Sequence, residues 1–420
     1  MEKTEVGAGN AKKESSPENQ KKVVKVFFGV FFDGTGAGGY LSRNREKTNV
    51  ELLHTYYTKR DNICKLYLTG IGVPDTAGDV VKDTATAGGL IGALGGPIGT
   101  LIGTTVGATA GAAAAMIGGN VKAAGGGAGL VAGIGATGIE SKVMKAMKDI
   151  PNKIIEKNFQ ESNIQLYFEV FGFSRGATAA RHFVWQVTNK KESIKKSIDK
   201  KLKANKSEIA SITISYAGLF DTVSSLGLNI SNGKNDNVKE LGLDAIKAVE
   251  HVFHICAADE FRKNFDLTNI NSAGAKGKEI FIPGSHTDIG GGSDPNKENK
   301  KITLSKSDET IHEGWTDGKV KSGYSHIALN LMATDFGKGA RKKFKDIHKH
   351  KVKSQLKNTE QTIRNNMSRL KSPENCHNLK KEFNYEYLRA NWLHFSAKEF
   401  DLINCPRKVN GNLKRGLIDG

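Results

Sequence analysis

This sequence predicts an α/β fold, a mostly parallel sheet with helices on both faces, and three observations carry that reading. Apolar runs at 23–32, 63–68, 166–171, 212–220 and 279–282 alternate with stretches of helical character. The first run is β-branched and aromatic on both faces, as a strand buried inside a parallel sheet must be. Polar and glycine-containing turns follow the runs directly, at the carboxyl ends where open α/β sheets bind ligands.

In chain order, residues 1–22 are mostly Lys, Glu, Ser, Asn and Gly, which predicts a disordered tail with no apolar core of a secretory signal. Residues 23–420 read as one domain. The strand at 23–32 ends in Asp33-Gly34-Thr35-Gly36, Thr48-Asn49 leads into a helix over 50–57, and 63–68 is a second strand. An insertion at 84–139 then interrupts the domain. Its first part, 84–121, carries no charged side chain, and glycines at 88, 92 and 96 and at 99, 103, 107 and 111 recur every fourth position. That spacing places them on one helical face, where a second helix can approach closely. The insertion predicts either a lid or a membrane-associating hairpin; its glycine content makes the drive for insertion weak.

A helical pattern over 140–157, broken or kinked at Pro151, feeds the next strand. After the helix 177–187 come a basic linker (189–206), the strand 212–220, a helix over 244–258 and the strand 279–282. A polar loop (293–321), a helix (325–336), a long basic helical region (341–370) and a tail with short β-like pieces (385–420) complete the chain.

The net charge is +18, from 62 basic and 44 acidic residues. Such a surface suits phosphate-bearing partners. There is no RNA-recognition signature, cysteine–histidine finger or aromatic-interleaved basic strand, so nucleic acid is not the expected partner. Cys64, Cys256, Cys376 and Cys405 show no C-x-x-C spacing, which argues against a disulfide framework or a zinc site and suits a reducing compartment.

The chemistry centres on Gly172-Phe173-Ser174-Arg175-Gly176, a G-x-S-x-G flanked by an apolar strand and the helix-forming 177–180. In that setting the motif is a nucleophile elbow, with Ser174 Oγ exposed above the sheet and Gly172 and Gly176 letting strand and helix crowd together. A serine hydroxyl needs a histidine to take its proton and a carboxylate to hold the histidine tautomer. Asp221 ends the strand 212–220, and His286 follows a strand and a Pro-Gly turn, in the chain order Ser…Asp…His. His312, His326 and His394 are the competing histidines. Asp288 is the competing carboxylate, or a loop-orienting or helix-capping residue. Arg175 N–H and the Asp33-Gly34-Thr35 turn are the expected oxyanion donors. No metal-ligand cluster or cofactor motif is visible, although Asp33 and Asp288 are the carboxylates to watch.

Five motifs occur in one order: Phe31-Phe32-Asp33-Gly34-Thr35, Thr48-Asn49, Gly172-Phe173-Ser174-Arg175-Gly176-Ala177, Phe220-Asp221-Thr222-Val223, and the run from Pro283 and His286 to Gly292. Together they resemble the α/β-hydrolase-like family of type VI secretion phospholipase effectors, the first family of type VI lipase effectors. The resemblance implies a phospholipase A-type serine esterase with Ser174 as nucleophile, Asp221 as acid and His286 as base. It also implies a phospholipid membrane substrate, a cognate immunity protein, a secretion-spike component as carrier, and delivery into the periplasm of a target cell. The insertion at 84–139 departs from the family pattern. Two other readings stand beside this one: an esterase for soluble or neutral-lipid substrates on the same fold, and a membrane-inserting pore toxin that uses the Gly/Ala region.

Overall fold

In the computed structural model the described residues are 21–38, 46–58, 60–73, 138–224, 238–293, 320–337, 344, 346–397, 407–409 and 412–420. The expected tail at 1–22 and the insertion at 84–139 lie outside them, apart from 21–22 and 138–139, as do His312 and Cys405.

Six parallel strands form the central sheet: β1 (Lys22–Phe32), β2 (Ile63–Leu68), β3 (Ser162–Phe173), β4 (Glu208–Phe220), β5 (Val252–Ala257) and β7 (Gly277–Ile282). Their spatial order is β2-β1-β3-β4-β5-β7. The chain thus moves from β1 to one edge, returns beside β1 as β3, and continues to the other edge. The switch point therefore falls between β1 and β3, and in open α/β sheets the carboxyl ends at such a point are where ligands bind.

Both faces of the sheet are dry, and this is why the strands read as continuous apolar runs. In β1, Val26, Phe28, Val30 and Phe32 enter one core while Phe31 enters the other; in β3, Ile164, Leu166, Phe168 and Val170 face the first and Phe171 and Phe173 the second. The first core is covered by α2 (Ile139–Ile155), α3 (Arg175–Asn189) and α4 (Lys191–Leu202). The second is covered by α1 (Asn49–Tyr56), α6 (His326–Phe336) and the helical segments between 347 and 391.

Several expectations change. The α2 helix runs unbroken through Pro151. The basic linker is the helix α4, which buries Ile194, Ile198 and Leu202 at four-residue spacing and leaves its lysines outside. The helix expected over 244–258 is instead a 3-10 turn (Leu243–Ala248) followed by β5, whose six residues are all buried. A short, wholly buried strand shows no alternation, so periodicity does not separate it from a buried helix. The long basic helical region contracts among the described residues to the helix α7 (Lys357–Asn366) and two 3-10 turns. Three helices that the pattern did not announce, α8 (Pro373–Asn378), α9 (Lys380–Phe383) and α10 (Tyr385–Asn391), follow it. The tail contributes β8 (Lys408–Val409), β9 (Asn412–Leu413) and β10 (Leu417–Ile418), and β10 pairs in parallel with β6 (Leu267–Thr268). No described helix is long and apolar enough to cross a membrane.

Candidate active site

Ser174 stands between β3 and α3 with φ 59° and ψ −129°. A residue with a Cβ holds such a conformation at a cost of about 1–3 kcal/mol, so the surroundings must impose it. They do so sterically. A Cβ on Gly172 would lie 2.5 Å from Ala177 Cα, and one on Gly176 would lie 2.3 Å from the Asp33 carbonyl oxygen. Hydrogen bonds pin the turn further: Ser174 N–H donates to Phe220 O (3.0 Å), and Ser174 O accepts from Val223 N–H (3.3 Å). Those partners flank Asp221, so the serine turn and the residue after β4 are stitched together.

Asp221 is fully buried, also at positive φ (42°). Its Oδ2 accepts from His286 Nδ1 at 2.6 Å, and its Oδ1 accepts from Ala257 N–H at 2.9 Å. Arg415 Nη2 donates to both oxygens, at 3.0 and 3.1 Å. Burial alone would raise this carboxyl, but the Arg415 charge, the His286 bond and the Ala257 N–H outweigh it and hold it below its usual range.

His286 opens the short helix α5 (His286–Gly290), capped reciprocally by Ser285 and Asp288. Its ring packs on Phe173, with centroids 4.6 Å apart, and meets the ring of Phe265 edge-on at 5.2 Å. Because Phe173 immediately precedes Ser174, the imidazole sits beside the elbow. An ionised Asp221 accepts the Nδ1 proton and leaves Nε2 as the basic nitrogen. Burial lowers the imidazole below its ordinary value of 6.5, although Asp221 pulls it upward.

The turn after β1 lies across the switch point. Asp33 accepts from Thr48 Oγ1 (2.7 and 2.9 Å), from Gly34 N–H (2.6 Å) and from the Tyr67 hydroxyl. Burial pushes its carboxyl up to about 6, against those three donors. The Gly34 N–H is therefore committed to Asp33, and Asp33 N–H donates to Leu68 O. Of the expected oxyanion turn, Thr35 N–H is the donor that takes no backbone acceptor among the described residues. Thr35 Oγ1 accepts from Arg175 Nε at 2.8 Å, and burial lowers this guanidinium to about 10, still charged at neutral pH. Arg175 N–H begins α3, where the first amides have no intrahelical acceptor.

Asp288 is not the partner of His286. Its oxygens take Ser285 N–H (2.8 Å), Ser285 Oγ (3.1 Å), His394 N–H (3.0 Å) and His394 Nδ1 (2.5 Å). Of the competing histidines, His394 is thus paired with Asp288, and the His326 ring lies against that of His350, 5.2 Å away.

Sequence reasoning missed four contributors. Arg415 is one and Phe265 another. Glu260 is the third; it accepts from His286 N–H (3.2 Å) and Ser396 Oγ (2.8 Å), and pairs with Arg262 at 2.8 Å. Arg262 overcomes the effect of burial and holds Glu260 at about 2. The fourth is the fully buried His254, whose Nε2 accepts from Thr222 N–H (3.0 Å) while Nδ1 donates to Glu279 (2.8 Å). His254, Cys256 and Glu279 bring their ligand-type atoms within 4.8 Å of one another. Both imidazole nitrogens are committed, so the trio reads as a buttress under the acid turn. No local pattern in the sequence marks any of the four.

Residues 184–334 match the family model described as T6SS, Phospholipase effector Tle1-like, catalytic domain. The match includes Asp221 and His286 and begins beyond Ser174. Among solved structures the chain is similar to the Tle1 effector bound to the VgrG spike from the Type 6 secretion system. The identity is 17%, the TM-score 0.56, and the likeness covers 92% of this chain and 89% of that one. The chain therefore has an α/β-hydrolase-like fold. An uncharacterized protein from Pseudomonas aeruginosa is similar only at 16% identity and a TM-score of 0.39, over 87% of this chain and 53% of that one. No curated protein sequence matches the chain.

Proposed function

We propose that this chain is a serine-dependent phospholipase A-type esterase of the type VI secretion effectors, with Ser174 as nucleophile, His286 as base and Asp221 as acid. The observation that carries the reading is the 2.6 Å bond from His286 Nδ1 to a buried, ionised Asp221 beside a strained serine turn. The family match over 184–334 supports the substrate class.

In this mechanism His286 Nε2 takes the Ser174 hydroxyl proton as Oγ attacks the acyl carbonyl of a glycerophospholipid. Asp221 stabilises the imidazolium that forms. Arg175 N–H and Thr35 N–H hold the oxyanion, worth about 3–4 kcal/mol per donor in such sites. His286 then returns the proton to the leaving lysophospholipid oxygen. Water, deprotonated by the same imidazole, releases the fatty acid. No cofactor is part of the proposal.

The delivery part of the reading rests on the same similarity. A spike component of the VgrG kind would carry the protein into the periplasm of a rival cell, and an immunity protein would guard the producer. The +18 charge favours docking on anionic lipid, an attraction that salt weakens.

The test is lipid product analysis by mass spectrometry on phospholipid vesicles, wild type beside Ser174→Ala. Ser174→Ala should lose at least about 10⁴-fold in acyl release while keeping its unfolding midpoint. Retained activity rejects the serine. Hydrolysis confined to short-chain or neutral esters rejects the phospholipase. Dye leakage from vesicles by Ser174→Ala would instead favour the pore reading.

A further inference from the structure

Asp221 lies at the centre of a charge arrangement wider than the proposed triad. Two buried carboxylates flank His286: Asp221 on its ring and Glu260 on its backbone N–H. Each has its own guanidinium, Arg262 for Glu260 and Arg415 for Asp221. Arg415 is almost wholly buried, and its Nη1 also donates to Glu260 O at 3.4 Å. A carboxylate taken this far from water keeps its charge only with a partner and hydrogen bonds.

The route by which Arg415 arrives is specific. Gly416 O accepts from Leu267 N–H (2.9 Å), and β10 then pairs with β6 through Leu417↔Leu267 and Ile418↔Thr268. The β6 strand in turn holds the acid turn: Thr268 N–H donates to Thr222 O (2.9 Å), and Val223 bridges Leu267. One ladder therefore runs from 416–418 through 267–268 to 222–223, and both of its ends converge on Asp221. Arg415 immediately precedes this ladder, so its backbone is anchored beside the acid turn, and the side-chain bonds to Asp221 and Glu260 O fix the guanidinium.

We propose that Arg415 is a positioning residue of the hydrolase, delivered by the 412–420 segment to hold the Asp221 carboxylate ionised and fixed toward His286. The proposal rests on the triad reading above. Oδ2 serves the imidazole and Oδ1 serves Ala257 N–H, and Nη2 bridges the two oxygens without displacing either bond. Its positive charge opposes the uptake of a second proton by the Asp221–His286 pair, and a protonated pair cannot act as base. Among the described residues, the other titratable or charged groups facing the pair and its arginine include Cys256 against Asp221, Arg262 and Glu260 against His286, and Glu260 and Asp266 against Arg415.

The experiment compares Arg415→Met, Arg415→Gln, Arg415→Lys and Ser174→Ala with wild type in the full chain. It measures kcat and kcat/KM for acyl release from one ester between pH 5 and 9 at fixed ionic strength. The neutral variants should lose about 10-fold or more in kcat, and the acid limb of kcat/KM should move up by about one pH unit. Arg415→Lys, which keeps the charge, should restore the position of the limb. Arg415→Gln keeps a donor to the carboxylate and carries the comparison if the methionine variant does not fold. A further loss on adding Arg415→Met to Asp221→Asn, as large as in wild type, overturns the proposal, because the arginine would then act elsewhere. So does a neutral variant that folds and keeps the wild-type limb, or one that loses activity evenly at every pH. An active Ser174→Ala would fail the triad reading itself, separately from Arg415.

Discussion

On the β1–β3 side of the site, Ser174 is held by its own flanking glycines and by the adjoining strand ends. On the β4–β7 side, Asp221 and His286 are held by groups drawn from across the chain: Arg415, Glu260, Ser396 and the rings of Phe173 and Phe265. The first half is a steric device. Its geometry follows from missing Cβ atoms and the close passage of the Asp33 and Phe32 carbonyls. The second half is an electrostatic device in a dry place, where each charge needs its counterpart. The two should fail differently when altered.

The largest effect is expected on the electrostatic side. Asp221→Asn removes the acceptor that sets the His286 tautomer and leaves Arg415 buried without its anion. We expect a loss of about 10⁴-fold in kcat, together with a stability loss of about 3–5 kcal/mol, read by steady-state kinetics and denaturant unfolding. Unchanged stability would mean that Arg415 finds another partner.

Next is the steric side. Gly176→Ala puts a methyl group against backbone oxygens that cannot swing away, so it should cost about 1–3 kcal/mol or more and lower the unfolding midpoint by several degrees. Any residual activity per folded molecule should be reduced because Ser174 is displaced. A variant as stable as wild type would show the elbow to be less tightly packed than its contacts indicate.

A smaller effect concerns pH. His286 sits below its ordinary value of 6.5, so the neutral, basic form should persist through pH 6.5 and the acid limb of kcat/KM should fall below it. The sign for stability follows from the same shift. Below 6.5 the unfolded chain takes up a proton that the buried imidazole resists, so this histidine's contribution to stability shrinks as pH falls. An acid limb above 6.5 would contradict the burial of the ring.

The smallest effect is a control. The Lys206–Glu161 pair at the opposite end of the sheet has side chains 77% and 57% exposed, so removing it should leave midpoint and activity unchanged.

How much of this was legible in the sequence follows the same division. The elbow could be read because its causes are local: Gly172, Ser174 and Gly176 lie within one turn, between a strand and a helix. Asp221 and His286 could be singled out because each follows an apolar run, and ends of such runs lie at one edge of a parallel sheet. The commitment of the Gly34 N–H to Asp33 could not be read, because it depends on where a single carboxylate folds back.

The sequence by itself determined the α/β class and located five of the six sheet strands, β1 and β2 to within one residue and the amino-terminal ends of β3 and β4 four residues late, because strands buried on both faces leave unbroken apolar runs. Only the tertiary structure decided that 252–257 is a strand, since a short buried segment has no period and takes its hydrogen bonds from whichever neighbours the sheet provides. Only the tertiary structure brought Arg415 to Asp221, across 194 positions of chain. Charge pairing in a dry interior is set by proximity in space, and nothing local to residue 415 records it.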